Sequence, residues 1–139
     1  MQEVKGAGIK IGLVTSGLDY KAIPEIVSTF RVLDMGDPLD FYDAIITGGK
    51  RKIAGQYGSL GELSVKPHPW VYAEIGISLA GGDKDRVITL EDSSSGVLSS
   101  RLAGYGVLGF SDGNIAQSGL ESFCLKMVDS FADVYKIIR

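Results

Sequence analysis

The chain has 139 residues with 14 basic and 17 acidic side chains, a net charge of −3, and so lacks the basic surface that nucleic-acid binding requires. Its length suits one hydrophobic core and therefore one domain over residues 1–139. The single cysteine, Cys124, excludes an internal disulfide, and with no apolar run of membrane-spanning length and no secretory signal pattern at the start, a cytoplasmic location and no membrane partner are expected.

In chain order, residues Met1 to Lys5 read as the end of a helix. The apolar, β-branched run from Ile9 to Val14 predicts a buried strand. Ala22, Ile23, Ile26, Val27, Phe30 and Leu33 follow helical spacing, with Pro24 tolerable only in the first turn. Asp43 to Thr47 predicts a second strand, and Gly48 to Ser64, basic and glycine-rich, a long loop or small hairpin. Within it Lys50, Arg51 and Lys52 either attract an anion or form a solvated surface. Pro67 to Leu79 predicts a helix with Trp70, Val71, Ile75 and Leu79 on one face. Arg86 to Leu90 is a third strand, Ser94 to Leu102 a helix of small residues, and Gly106 to Phe110 a fourth strand. Residues 111 to 122 form a loop, Leu125 to Val128 a short fifth strand, and Ser130 to Ile138 a last helix. Cys124 sits in an apolar stretch and reads as a core residue. Alternating strands and helices imply an α/β fold, a mostly parallel sheet with helices on both faces.

Three segments fall where such a sheet holds ligands, at the carboxyl ends of its strands. Thr15-Ser16-Gly17 offers a hydroxyl and successive amides to an anionic oxygen, or simply makes a turn. Lys66-Pro67-His68-Pro69 fixes the backbone beside an ammonium, which suits stabilisation of negative charge or a solvated helix start. His68, the only histidine, reads as a turn residue. Glu91-Asp92 supplies two carboxylates for a hard cation such as magnesium, or acids that satisfy the free amides of the next helix. Together, hydroxyl, lysine and paired acids are equipment for a phosphoryl group and magnesium.

These segments carry a family resemblance. Ile9 to Gly17, Lys66 to Tyr72, and Leu90 to Gly96 continuing to Tyr105 resemble the second, third and fourth motifs of the haloacid dehalogenase superfamily, in its phosphatase and phosphoglucomutase-like branch. The resemblance spans nearly the whole chain. It implies a Rossmann-like three-layer α/β/α core and a magnesium-dependent phosphatase acting on small phosphorylated metabolites through an aspartyl-phosphate. Thr15, with amides near Ser16 and Gly17, would hold the phosphoryl group. Lys66 would neutralise its charge. Asp92 would ligate Mg2+, and Glu91 would support it directly or through water.

The family's first motif, an Asp-x-Asp pair after a strand preceding all of these, has no counterpart here, nor does the mobile cap. Asp83 and Asp85 have the spacing but precede a strand; Asp34, Asp37, Asp40 and Asp43 read as solvated turn residues. The core is therefore expected to be incomplete at its N-terminal side, to bind Mg2+ weakly, and to be inactive alone. Its open sheet edges would favour a homo-oligomer or a complementing segment. The alternative is a non-catalytic remnant of such a hydrolase acting as a binding or assembly module.

Overall fold

The computed structural model describes residues 1–48, 50–53, 56–59 and 65–138. Helix α1 (Gln2–Gly6) leads into β1 (Gly12–Leu18), followed by α2 (Asp19–Val32), the short α3 (Pro38–Phe41) and β2 (Ala44–Gly48). A hairpin follows, β3 (Lys50–Ile53) and β4 (Gln56–Ser59), then α4 (Trp70–Ala80), β5 (Ile88–Glu91), α5 (Ser94–Ala103), β6 (Gly106–Phe110), β7 (Lys126–Val128) and α6 (Phe131–Ile138). The side chains of Lys50, Arg51 and Lys52 lie outside the described residues.

The strands form two sheets, one ordered β1-β2-β3-β4 and one β5-β6-β7. β1 and β2 are parallel, as are β5, β6 and β7; only the hairpin pairs antiparallel. Among the described residues β1 and β5 are each an edge, and they do not pair with each other. Burial records the difference between centre and edge. Ala44, Ile45, Ile46 and Thr47 of β2 are at most 1 % exposed. No residue of β1 is buried, although its sequence is as apolar, and Ile88 of β5 is exposed. A strand with neighbours on both sides and helices on both faces loses its surface; an edge strand keeps more of it, although β5 still buries Thr89 and Glu91.

Helices cover both faces. Val71, Tyr72 and Ile75 of α4 pack on Ala44 and Ile46, and the same cluster takes in Val14, Val87, Ala103 and Tyr105. This one core thus draws residues from both sheets. Close approach of α4 to Tyr105 depends on Gly76, where a Cβ would overlap the phenol. On the second sheet, Val107 packs with Val97 of α5, while its neighbour Leu108 packs with Val134 of α6. Consecutive residues of a strand face opposite ways, so α5 and α6 lie on opposite faces. The result is the expected three-layer α/β/α arrangement.

Several boundaries differ from the sequence reading. β1 starts at Gly12 rather than Ile9 and runs on to Leu18, because its parallel register with β2 extends through Leu18 and Gly48 across an irregularity. α4 starts at Trp70, after both prolines. The segment before β2 is not only turn. Asp37 caps α3, its carboxylate accepting the Leu39 N–H.

Asp43 likewise is more than a solvated turn residue. Its carboxylate accepts from Lys5 Nζ at 2.7 Å and from the Ile11 N–H at 2.8 Å, tying α1 and the start of β1 to β2. Burial alone would raise its pKa; the hydrogen bonds from Lys5 and Ile11 and the charges of Lys5 and Lys10 outweigh that, and the carboxyl titrates below its ordinary value. A depressed folded-state pKa adds stability that is fully present above the unfolded value, about 4, and is lost as pH falls through the folded value. Asp43→Asn is therefore expected to lower the melting temperature at neutral pH, with the gap to the parent chain closing in acid. Thermal melts across that range check this; a gap independent of pH would locate the effect elsewhere.

Candidate functional site

The carboxyl ends of β1, β2 and β5 meet around residues 65 and 66. A Cβ on Gly48 would lie 2.9 Å from the Ser16 carbonyl and 3.5 Å from Val65 Cγ1. The next residue, Lys66, forms an ion pair with Glu91 at the end of β5. One short stretch of chain therefore bridges the ends of both sheets. It is held by α5, where the buried Ser99 hydroxyl donates to the His68 carbonyl at 2.6 Å. His68 itself serves this turn. Its Nδ1 accepts the Trp70 N–H at 3.3 Å, and its ring stacks edge-on against Trp70 at 4.6 Å.

The Lys66–Glu91 pair is nearly dry, with side chains 12 % and 4 % exposed. The same oxygen, Oε1, also accepts the Tyr72 hydroxyl, while Oε2 accepts the Ser93 hydroxyl at 3.2 Å. Lys66 Nζ stands 5.2 Å from the Tyr72 ring centroid. Burial, then the Glu91 charge, hold the Tyr72 pKa far above its ordinary value, so the phenol is always a donor here. Gly96 makes the arrangement possible, since a Cβ there would fall inside the Glu91 carboxylate.

The other residues sit more openly at this end of the sheets. Thr15 Oγ1 accepts the Gly17 N–H at 3.1 Å, and Ser16 and Gly17 are exposed. Asp92 is exposed, and its carbonyl accepts the Asn114 N–H at 3.0 Å. Asn114 in turn accepts the Ser94 N–H, and Gly113 approaches the Asp92 carbonyl more closely than any Cβ would allow. The structure thus joins Lys66 directly to Glu91. Among the described residues it records no direct bond from either to Thr15 or to the Asp92 carboxylate. The acids do not cap α5; Ser93 does, accepting the Gly96 N–H at 3.2 Å.

Tyr72, Gly96, Gly113 and Asn114 had no role in the sequence reading. Tyr72 and Gly96 fall inside the quoted segments, but only the fold shows that they meet Glu91. A further acid at this end is Asp19, the first residue of α2, which accepts from the Thr47 hydroxyl at 3.2 Å. Among the described residues no three His, Cys, Asp or Glu side chains cluster as a metal cage. Asp92 fits a hard cation that takes one or two protein carboxylates and fills its shell with water. Glu91 is buried and already accepts from Lys66, Tyr72 and Ser93.

No family model and no curated protein matches the chain. Solved structures do. A protein assigned as a beta-phosphoglucomutase from Thermotoga maritima matches with a TM-score of 0.70 at 24% identity, over 99% of this chain and 57% of that one. CbbY from Rhodobacter sphaeroides, in complex with xylulose-(1,5)bisphosphate, matches with 0.71 at 21% identity, over 95% of this chain and 51% of that one. A HAD hydrolase of family IA from Entamoeba histolytica matches with 0.68 at 18% identity, over 95% and 52%. The chain spans about half the length of these structures. Its two sheets, one mixed and one parallel, flanked by helices on both faces and joined at one end through Lys66 and Glu91, share the fold of about half of each of these solved structures.

Proposed function

We propose that this chain forms part of a magnesium-dependent phosphatase-type site acting on small phosphorylated metabolites. The carrying observation is the buried Lys66–Glu91 pair at the end where β1, β2 and β5 converge. It fixes an ammonium where a phosphoryl group would lie against the Thr15 hydroxyl and the amides of Ser16 and Gly17. Such preorganised charge acts most strongly in a dry site. Asp92 would hold Mg2+, which when bound supplies charge neutralisation at phosphoryl oxygens. The attacking carboxylate comes from a segment outside residues 1–139. The unpaired edges of β1 and β5 support this, since a strand lying between them would reach the same end of the sheets. The same edges would also serve the alternative, a non-catalytic assembly module.

Amide NMR of the chain titrated with inorganic phosphate in the presence of Mg2+ tests the reading. Saturable shifts are expected at Thr15, Ser16 and Gly17. Thr15→Val should weaken the titration about tenfold or more, as loss of one hydrogen bond to a charged group implies. Shifts confined to other residues, or a Thr15→Val titration equal to the parent's, would refute it.

A further inference from the structure

We propose that His68 is a positioning residue whose neutral imidazole caps α4, so that the turn carrying Lys66 shifts when the ring takes up a proton. The proposal rests on the phosphoryl-transfer reading only for what Lys66 would meet; the device itself rests on geometry. The turn has few anchors. Pro67 and Pro69 leave it short of backbone donors. The His68 N–H donates to the Val65 carbonyl at 3.0 Å, and the His68 carbonyl accepts from the Ser99 hydroxyl at 2.6 Å. The remaining anchor is the ring. Its Nδ1 accepts the Trp70 N–H at 3.3 Å, the first amide of a helix whose N-cap residue, Pro69, offers no side-chain acceptor. An accepting ring nitrogen carries no proton, so this bond exists only in the neutral imidazole with its hydrogen on Nε2.

Protonation has two effects here, of opposite sign. Both ring nitrogens become donors, so the Trp70 N–H loses its acceptor, and a positive charge arrives at the N-terminal end of α4, where the helix dipole disfavours it. Against this, the ring centroid lies 4.6 Å from that of Trp70, within the range of cation–π attraction. The first effect breaks the cap and the second keeps the ring beside the indole, so the outcome is a rearranged turn in a folded chain. The charged groups on the surrounding elements are few and mostly engaged. Lys66 on the turn pairs with Glu91 of β5. Glu74 is the one charge on α4, and Arg101, the one charge on α5, donates to the Tyr105 carbonyl. Asp92 follows β5, and Asp19 accepts from Thr47 near the end of β2. Among the described residues the ring's one recorded hydrogen bond is to Trp70. An imidazole is the side chain that ordinarily changes charge between about pH 5 and 8.

The sequence supplies its own probe, one histidine and one tryptophan in ring contact. Tryptophan fluorescence of the whole chain is followed from about pH 8 to about pH 5, together with the amide signals of Lys66, Trp70 and Ser99. A single fluorescence transition is expected, shared by all three amides. His68→Asn keeps a side-chain acceptor ahead of Trp70 but does not titrate. Its Lys66 and Ser99 amides should lie near the parent's positions at the alkaline end and stay there in acid. His68→Phe keeps a ring beside Trp70 but has no acceptor. Its Lys66 and Ser99 amides should lie near the parent's acid positions throughout. At the alkaline end its Trp70 N–H should exchange about fivefold faster than the parent's, as loss of one neutral hydrogen bond implies. Circular dichroism of each variant comes first; if one does not fold, the other and the parent's own titration decide. Lys66 and Ser99 amides that stay fixed while Trp70 titrates would overturn the proposal. So would a flat fluorescence profile, or a Lys66 shift that persists in His68→Asn. None of these readouts involves phosphate or a cation, so this device and the phosphoryl reading can fail separately.

Discussion

Lys66→Met is expected to destabilise the chain by about 3–5 kcal/mol, the cost of stranding a buried charge. Methionine nearly fills the lysine's volume, so little of this loss comes from a cavity. It comes from Glu91, whose carboxylate would keep the Tyr72 and Ser93 hydroxyls but lose its only ionic partner among the described residues, at 4 % side-chain exposure. Neutralising the acid as well should recover much of the loss, so Lys66→Met with Glu91→Gln is expected to be more stable than Lys66→Met alone. Denaturant unfolding of the parent, both single variants and the double variant closes this cycle. The exposed Lys136–Asp133 pair, at 3.4 Å, is the internal contrast; Lys136→Met should leave the midpoint unchanged. A Lys66→Met loss no larger than that of Lys136→Met would mean that the inner pair is solvated.

Why these two lysines differ cannot be read from their local sequence. Lys136 lies within α6 and Lys66 in the proline-flanked turn before α4, but neither setting says how deeply the lysine is buried. Lys66 becomes buried because α4 packs across both sheets and brings residue 66 beside the end of β5. The strand–helix alternation was legible because apolar runs such as Ala44 to Thr47 and helical spacing such as Val71, Ile75 and Leu79 are local signals. The segments holding Thr15, Lys66, Glu91 and Asp92 were legible through motif resemblance. What the residues do to one another was not. Glu91 and Asp92 are neighbours of like charge in sequence, yet one is buried and triply bonded while the other faces water. That distinction depends on Tyr72, 19 residues away, and on the absence of a side chain at Gly96. The edge position of β1 was likewise hidden, since an apolar strand reads the same whether one neighbour or two flank it. Asp43 looked like a turn residue because its partners, Lys5 and Ile11, lie 38 and 32 residues away.

Hydrolysis of a generic phosphomonoester such as p-nitrophenyl phosphate by this chain alone is expected to run about 10⁶-fold below that of a complete enzyme of this type, the usual scale for loss of a covalent nucleophile. The acids described near the carboxyl ends of the strands show why. Glu91 is held by Lys66, Tyr72 and Ser93. Asp19 accepts from Thr47 at the start of α2, a position that suits an acid for the helix's sake. Asp112 and Asp129 follow β6 and β7, one and two strands beyond β5 in its sheet, and strand spacing of about 4.8 Å carries them progressively away from the end of β5. Asp92 is exposed and, on the proposed reading, is committed to the cation. A carboxylate carried on an extended segment between β1 and β5 has none of these handicaps. The segment would pair with the free edges of β1 and β5 and end on the side of the sheets that holds Lys66 and Glu91. Fusing an apolar β-branched segment ending in aspartate through a flexible linker to the chain should therefore raise turnover by orders of magnitude. It should also protect the β1 and β5 amides from hydrogen exchange, and changing that aspartate to asparagine should remove the first effect while leaving the second. Substantial turnover by the unfused chain that disappears in Asp19→Asn would place the nucleophile within residues 1–139 and make the external segment unnecessary.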